Sequence, residues 1–329
     1  MLTERQNKIL KLIVERYIKE PIPVGSKVIS KQLNCSSATV RNDMGELENQ
    51  GLLEKTHTSS GRIPSEAGYR YYVDNLMEMK KMNAEDMLKL QIVFKNQQLA
   101  LSDVITKSLQ VISDMTNYTA VVLGSTSHEN LLKQIEVVPI DEASMIVIIV
   151  TDKGHVEHKN IKLNDVSMEE VKKTVGLINN LISGTPIDDI SKKLEFEIKP
   201  IIGKYVKQHE QIYNAFYHVF SDFTNHEVNV MGRSKMLEQP EFSTNIDKIK
   251  NVFNKLENKE LINNITEDDE NNIKVYIGKE NNIDSDVTVI QTKYKNGGEE
   301  GTIAIIGPKR MEYDRVVSML EYIKENIER

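Results

Sequence analysis

The chain has 329 residues, of which 39% are hydrophobic and 28% charged, a composition typical of a globular protein with two or three domains. No run approaches the roughly 18 apolar residues of a membrane-spanning helix. The charged start, MLTERQNKIL, lacks the apolar region of a signal peptide, so we expect a cytoplasmic protein. The single cysteine, Cys35, excludes an intrachain disulfide and a cysteine-based metal site.

The net charge of -7 is unevenly distributed along the chain. Residues 1–80 contain 12 Lys and Arg against 10 Asp and Glu, a net charge of +2, which leaves -9 for the remainder. Local charge matters more than the total for attracting phosphates, so the N-terminal segment is the better candidate for contact with nucleic acid. This asymmetry is mild and does not by itself identify a DNA-binding protein.

The chain opens with two predicted helices. Thr3 is a typical helix start, and apolar residues then recur every three or four positions as far as Tyr17, which gives one apolar helical face. The segment 21–26 contains two prolines and ends this helix, because proline cannot continue it. Ser26 can cap a short second helix over Lys27–Leu33.

A third helix is predicted over Ala38–Asn49. It follows a turn over Asn34–Ser37 with a strong N-cap signal, for which Ser37 is a candidate, and Gly51 ends it. Its apolar residues, Val40, Met44 and Leu47, share one face. The other face is polar, has Arg41 at its flank, and comprises Thr39, Asn42, Asp43 and Glu46.

A hairpin and a fourth helix follow. A short strand, Leu52–Glu54, precedes a polar loop, Lys55–Arg62, and a return strand that begins at Ile63; Ser65 then starts a helix over Ala67–Met79. At least two of the three tyrosines of this helix are expected to pack in the core (Tyr69, Tyr71 and Tyr72). Three helices followed by a hairpin is the order of a winged helix-turn-helix, whose third helix fits the major groove of duplex DNA.

The rest of the sequence indicates a mixed α and β structure. Helical spacing over 84–116 predicts a connecting helical stretch, broken near Gln97. Further helices are predicted over 168–183, 186–194, 201–223 and 313–327. Strands are predicted over 120–123, 135–140, 145–150, 228–231, 273–277, 287–294 and 302–306, with a turn over 296–298. The acidic, Asn-rich segment 263–272 is predicted to be an exposed loop.

Segments near both ends of the chain carry a family resemblance. The segment SSATVRNDMGELENQGLLEKTHTSSGRIPSEAGYRYYVDNLM (Ser36–Met77) closely resembles the heat-inducible transcription repressor family HrcA, and so do VYIGKENNI (Val275–Ile283) and GTIAIIGPKRMEYDRV (Gly301–Val316). The helix part of the first segment also resembles other winged-helix regulators, whereas HTSSGRIPS followed by GYRYYVD separates HrcA from them. Because the matches occur in the right order at both ends, the resemblance extends over the whole chain.

The resemblance implies a multidomain α+β protein. It would have an N-terminal winged helix-turn-helix domain (1–80), a helical connection with the first part of a GAF-like α/β domain (81–140), an inserted α+β dimerisation domain (141–225) and the second part of the GAF-like domain (226–329). It further implies a homodimer that represses chaperone operons by binding an inverted-repeat operator of the CIRCE type on double-stranded DNA. The GroE chaperonin is implied as the partner that favours the active form.

The predicted DNA contacts lie in the third helix and the wing. Arg41 can grip guanine, and Asn42 can grip adenine, through paired hydrogen bonds. Hydroxyls and free amides at the helix N-terminus suit phosphate, and Arg62 can reach a minor groove or a phosphate. A surface ion pair of Arg41 and a simple N-cap role of Ser37 are the alternatives. The full set is Ser36, Ser37, Thr39, Arg41, Asn42, Lys55, His57, Thr58, Ser59, Ser60 and Arg62.

Other functions are weaker alternatives. The GAF-like domain could make the protein a small-molecule-sensing regulator, and the winged helix could bind a protein instead of DNA. An enzyme is not expected, because the sequence lacks an acid–base, nucleophile or phosphate-loop constellation. His155 and His158 point to opposite faces of a strand and have no third ligand nearby, so we predict no metal site and no cofactor.

Overall fold

A computed structural model describes residues 2–55, 61–96, 101–126, 131–141, 144–152, 154, 156–163, 166–201, 209–224, 228–243, 250–252, 254–255, 272–281, 283–296 and 299–329. The chain divides into two compact units. Unit 1 comprises Met1–Leu123, Val228–Tyr294 and Thr302–Arg329, and unit 2 comprises Gly124–Glu227 and Lys295–Gly301. Within the described ranges, none of the helices combines the length and apolar character that a bilayer crossing requires.

Unit 1 begins with the elements of a winged helix-turn-helix. In chain order they are α1 (Glu4–Lys19), α2 (Ser26–Leu33), α3 (Ser37–Asn49), β1 (Leu53–Lys55), β2 (Arg62–Pro64) and α4 (Glu66–Tyr71). This order confirms the predicted helices and hairpin. Thr3 caps α1 in a capping box with Gln6, as its position before the first apolar residues predicts. Gly51 follows α3 with φ 75°, a conformation that glycine adopts without steric cost.

Two predicted caps were wrong. The N-cap of α3 is Ser36 rather than Ser37, because the Ser36 Oγ accepts a hydrogen bond from the Thr39 amide at 3.0 Å. Gly25 is the N-cap of α2, without a side-chain hydrogen bond. The hydroxyls of Ser26 and Ser37, the first residues of their helices, are hydrogen-bonded to each other at 3.0 Å. Both predicted caps therefore join the two helices instead of capping them.

The fourth helix is shorter than predicted. Ser65 caps α4 through its hydroxyl, which accepts from the Gly68 amide. The chain continues from α4 as a π-helix over Tyr72–Leu76, and Met77 is already extended, so the helix does not reach Met79. A change from α to π pairing alters which backbone groups bond to each other, and periodicity of apolar residues does not reveal it.

The remaining elements mix helices and strands as the sequence predicted, and they include a strand at Val156–Lys162 and short helices at Arg233–Leu237 and Pro240–Ser243 that were not among the predicted elements. They are α5 (Ala84–Phe94), α6 (Leu101–Thr116), β3 (Thr119–Thr126), β4 (Leu132–Pro139), β5 (Ser144–Thr151), β6 (Val156–Lys162), α7 (Met168–Ile182), α8 (Ile187–Lys193) continued by a π-helix (Leu194–Ile198), α9 (His209–Thr224), β7 (Val228–Met231), α10 (Arg233–Leu237), α11 (Pro240–Ser243), β8 (Lys274–Ile277), a 3₁₀-helix (Gly278–Asn281), β9 (Val287–Asn296), β10 (Glu299–Pro308) and α12 (Tyr313–Ile327). The predicted break at Gln97, His155, residues 297–298 of the predicted turn and 263–271 of the acidic loop lie outside the described residues.

A five-stranded sheet with the order β7-β3-β10-β9-β8 forms the second part of unit 1. Strands β3 and β7 are antiparallel, with Leu123 opposite Val228. On one face of the sheet, Ile290, Ile303 and Ile305 belong to the same core as α6 and α12. On the opposite face, Val289 and Ile306 pack with Met236 and Phe242. The chain leaves this sheet on β3 and returns on β7, so unit 2 is inserted between two paired strands.

Unit 2 contains the antiparallel sheet β4-β5-β6 and the helices α7, α8 and α9. Met145, Val147 and Ile149 of β5 point into its core with Ile135 of β4 and Ile178 of α7. The predicted start of the inserted domain was residue 141. Strand β4 ends before that residue but pairs with β5 along its whole length, and unit 2 begins at Gly124.

Within unit 1 the winged helix packs against the larger sheet and α12. Tyr69 and Tyr72 are buried beside Tyr313 of α12, with ring centroids 6.1 and 6.4 Å away, which confirms that two of the three tyrosines are core residues. Burial raises the pKa of all three phenols, because desolvation disfavours the charged phenolate. Arg70 donates hydrogen bonds to the Val275 carbonyl and to the Glu280 carboxylate. These contacts attach the end of the winged helix to β8 and α12.

Candidate nucleic-acid interface

Helix α3 is held by its apolar face. Val40, Met44 and Leu47 are buried in one core with Ile9 and Ile13 of α1. Burying each such side chain contributes about 1.5–3 kcal/mol relative to exposing it. A helix of this length is only marginally stable alone, so this packing both forms α3 and fixes which face points outward.

The N-terminus of α3 carries the three hydroxyl residues of the predicted site. Ser36 caps the helix, and its Oγ lies 2.8 Å from the Thr39 Oγ1. Ser37 is tied to Ser26 at the start of α2. The N-terminal ends of α2 and α3 are therefore joined by a side-chain hydrogen bond. Helix N-termini attract anions through free amides and the helix dipole, so this end of α3 suits a phosphate group.

Arg41 and Asn42 are both exposed on α3. Among the described residues, neither side chain forms a hydrogen bond or ion pair, so the alternative of a surface ion pair for Arg41 has no support there. Both side chains carry several hydrogen-bond donors, and Asn42 also carries an acceptor. Such groups can form hydrogen bonds to base edges in a major groove.

Asp43 does not belong to the exposed polar face, contrary to the sequence prediction. Its carboxylate is buried and receives two hydrogen bonds from the Arg5 guanidinium of α1, at 2.6 and 3.1 Å. The hydrogen bond to Asp43, together with the attraction of its charge, raises the pKa of Arg5, which favours the charged guanidinium. Asp43 therefore joins α1 to α3 and presents no free negative charge to a nucleic acid.

The wing, which we define as Leu53–Pro64, is a hairpin pinned to its neighbours. Lys55 of β1 is exposed and opposite Arg62 of β2. The other edge of Arg62 pairs with Val24 of the α1–α2 loop, through two backbone hydrogen bonds of 2.9 and 3.0 Å. A Cβ at Gly61 would meet Pro23 at 2.8 Å, so only glycine allows this approach. His57, Thr58, Ser59 and Ser60 lie outside the described residues.

The Arg62 side chain lies against α3. Its Nε and Nη2 are each 2.7 Å from the Glu48 Oε2, and the Arg62 side chain is only 14% exposed. Sequence reasoning missed Glu48 because its partner is on a different element. Among the described residues of the predicted site, Arg41, Asn42 and Lys55 are thus exposed, whereas Arg62 is already engaged within the domain.

Three further residues of α3 share the outward face with Arg41 and Asn42. Ala38 and Asn49 are exposed, and Gly45 lies between them with no atom within 4 Å of a Cβ built on it. Ala38 and Gly45 lie three or four residues from Arg41 and Asn42, and Asn49 lies seven residues from Asn42. This helical spacing could have revealed the face from the sequence. The methyl group of Ala38 and the lack of a side chain at Gly45 leave the backbone of α3 open to close approach.

The sequence matches two family models. One is the HrcA protein C terminal domain, over residues 102–317, and the other is the DeoR-like helix-turn-helix domain, over residues 5–65. The second match covers α1 to β2. The chain is also 36% identical over 334 residues to the heat-inducible transcription repressor HrcA of Bacillus pumilus (strain SAFR-032), covering 99% of this chain and 97% of that protein.

A solved structure has the same fold. The crystal structure of a hypothetical protein at 2.2 Å resolution superposes with a TM-score of 0.71 and 24% sequence identity, covering 99% of this chain and 98% of the other. At this identity the likeness concerns the fold and carries no function.

Proposed function

Because the chain belongs to the HrcA family of heat-inducible transcription repressors, we propose that it represses heat-shock chaperone operons by binding an inverted-repeat operator of the CIRCE type. The observation that carries this proposal is the pair Arg41 and Asn42, adjacent and exposed on a helix whose other face is buried. Arg41 and Asn42 read base edges, while Ser36, Ser37 and Thr39 receive a phosphate at the helix N-terminus. Lys55, with the wing residues His57, Thr58, Ser59 and Ser60, contacts the neighbouring backbone.

An inverted repeat is read by two copies related by a two-fold axis, and unit 2 has a surface suited to join them. The face of its sheet opposite the core carries three aliphatic residues in a row on β5, namely Ile146, Ile148 and Val150. Val138 opposite Ile146 and Val156 opposite Val150 are 44% and 55% exposed. Aliphatic side chains thus run diagonally across all three strands.

In this proposal the sheet face pairs with the same face of a second copy. Ile148, at its centre, is flanked by Glu136 on β4 and His158 on β6. A two-fold axis parallel to β5 sets the aliphatic row of one copy against that of the other and Glu136 of each copy opposite His158 of its mate. Exposed apolar patches with a polar rim are typical of protein interfaces. We therefore take unit 2 as the dimerisation domain and the five-stranded part of unit 1 as the GAF-like domain.

Operator binding is tested by titrating an inverted-repeat duplex and a scrambled duplex of equal length with the purified protein, over a range of salt concentrations. The expected result is at least about a 1,000-fold preference for the inverted repeat, as specific repressors show. The scrambled duplex reports the salt-dependent attraction to phosphate that any basic surface has. Equal affinity for the two duplexes at every salt concentration would overturn the proposal.

Family membership also supports the GroE chaperonin as the partner that favours the DNA-binding form. Adding purified chaperonin is expected to raise operator affinity at fixed salt, and adding a denatured protein that occupies the chaperonin is expected to cancel the gain. The titration is repeated over a temperature range with the chaperonin omitted as the control. An operator affinity that the chaperonin changes at no temperature would contradict this partner.

A further inference from the structure

A hydrogen-bonded pair of charged side chains joins the wing to helix α3. Arg62 Nε donates to Glu48 Oε2 at 2.7 Å, and Nη2 lies 2.7 Å from the same oxygen. The Arg62 side chain is 14% exposed and the Glu48 side chain 32% exposed. Partial burial makes such a pair costly to break, because either group alone would keep a poorly solvated charge. The contact is also charge-assisted, which makes its geometry more restrictive than that of a neutral hydrogen bond.

The backbone of Arg62 is held at the same point. It forms two hydrogen bonds with Val24 in the α1–α2 loop and pairs with Lys55 across the hairpin. Gly61, the preceding residue, approaches Pro23 so closely that no side chain fits. Arg62 is therefore the residue where the loop after α1, the hairpin and α3 meet, and it begins the strand that returns from the wing loop.

We infer that Glu48 is a positioning residue for the DNA-reading surface, and that Arg62 acts on DNA through Glu48 rather than by gripping a base or a phosphate itself. The pair fixes the angle between the wing and α3, so that wing residues and Arg41 meet the same duplex in register. This inference rests on the proposed DNA-binding function. It also reassigns Arg62, whose charge and place beside the wing loop predict a direct contact from sequence alone.

A direct phosphate contact and a positioning role of Arg62 predict different effects of substitution on DNA binding. An arginine that grips a phosphate neutralises one charge, so removing it lowers the salt dependence of binding by about one counterion. A positioning pair neutralises no phosphate, so breaking it weakens DNA binding without changing the salt dependence of the affinity. A positioning pair also tolerates an exchange of the acidic and the basic residue between its two positions, whereas a glutamate placed at a phosphate contact repels the DNA.

The test compares Glu48→Gln, Arg62→Gln and the exchanged pair Glu48→Arg with Arg62→Glu, in the full chain. Each single change is expected to lower operator affinity about tenfold, and the exchanged pair to recover most of that loss. The slope of log affinity against log salt is expected to stay at the wild-type value in all three. The matched control is Glu54→Gln, which removes an exposed carboxylate of the hairpin and is expected to leave affinity within about twofold.

The overturning result is an Arg62→Gln variant whose salt slope falls by about one, together with an exchanged pair that binds no better than the single variants. Hydrogen exchange of the Val24 and Arg62 amides without DNA gives a second readout. Faster exchange in Glu48→Gln supports the positioning role, and unchanged exchange contradicts it. If the wild-type protein shows no operator preference, the proposed function fails, while the exchange experiment still decides whether Glu48 holds the wing.

Discussion

Consecutive residues of α3 differ in whether they are exposed or buried. Arg41 and Asn42 are exposed, whereas Asp43 is buried on Arg5 and Met44 is buried in the core. A helix turns by about 100° per residue, so two neighbours can face outward and the next two inward. Changes at Arg41 should therefore alter DNA binding and leave the fold intact. Changes at Asp43 should instead lower the stability of the domain.

Replacing Arg41 with alanine is expected to lower operator affinity by about 1–3 kcal/mol, because a bidentate contact to a base edge is lost. The thermal unfolding midpoint should remain at the wild-type value, since Arg41 is exposed. Fluorescence anisotropy with labelled operator at fixed salt measures the affinity. The control is Arg16→Ala, which removes the same charge from an exposed position of α1. Equal losses for both variants would show that only general charge matters.

Among the elements of the winged helix, α3 and α4 each contain a glycine, and the two glycines have different surroundings. A Cβ at Gly68 of α4 would lie 2.1 Å from the Leu52 carbonyl oxygen, so α4 packs on the hairpin through its backbone. Gly45 of α3 meets nothing within 4 Å. Glycine in a helix costs about 0.5–1 kcal/mol relative to alanine. Close packing offsets that cost at Gly68, whereas no contact within the described residues does so at Gly45.

Alanine at these two positions should therefore change stability in opposite directions. We expect Gly68→Ala to lower the free energy of unfolding by about 1–3 kcal/mol, through the clash with Leu52. We expect Gly45→Ala to raise it by about 0.5–1 kcal/mol. Urea unfolding followed by circular dichroism measures both, and each variant serves as the other's control for the added methyl group. Destabilisation by Gly45→Ala would contradict the open surroundings of that position.

Across the complete molecule, the proposed reading and pairing surfaces lie in different units. The winged helix belongs to unit 1, and the aliphatic sheet face belongs to unit 2. Under the proposed function, two copies joined through unit 2 would bind both arms of an operator, and such linkage raises affinity by about 10²–10⁴-fold over a single copy. A change in the sheet face should thus weaken DNA binding although it touches no DNA.

A charge at the centre of that face is the direct test. Ile148→Lys is expected to convert the dimer to a monomer and to lower affinity for the full inverted repeat by about 100-fold or more, with affinity for a single arm unchanged. Analytical ultracentrifugation gives the mass, and anisotropy gives both affinities. Leu181→Lys places the same charge at a partly exposed position of α7 and should remain dimeric. If Ile148→Lys also remains a dimer, the interface lies elsewhere.

The local elements of the protein could be predicted without a structure. The helix Tyr313–Ile327 and the strand Val228–Met231 have the predicted bounds, and the three N-terminal helices lie where apolar spacing and proline place them, although two of their predicted caps were wrong. These features depend on interactions between residues a few positions apart, which a sequence displays directly. The exposed pair Arg41 and Asn42 follows from the same periodicity.

Which polar residues are free to act became clear only from the packing of the elements. Asp43 is paired with Arg5 and Glu48 with Arg62, across 38 and 14 residues of chain. Strand β4 belongs with β5, and unit 2 departs between the paired strands β3 and β7. Such partners depend on how distant elements meet, and a charged side chain looks the same in sequence whether it meets another charge or solvent. The exposure of Arg41 and Asn42 was therefore predictable, but the contact of Arg62 with Glu48 was not.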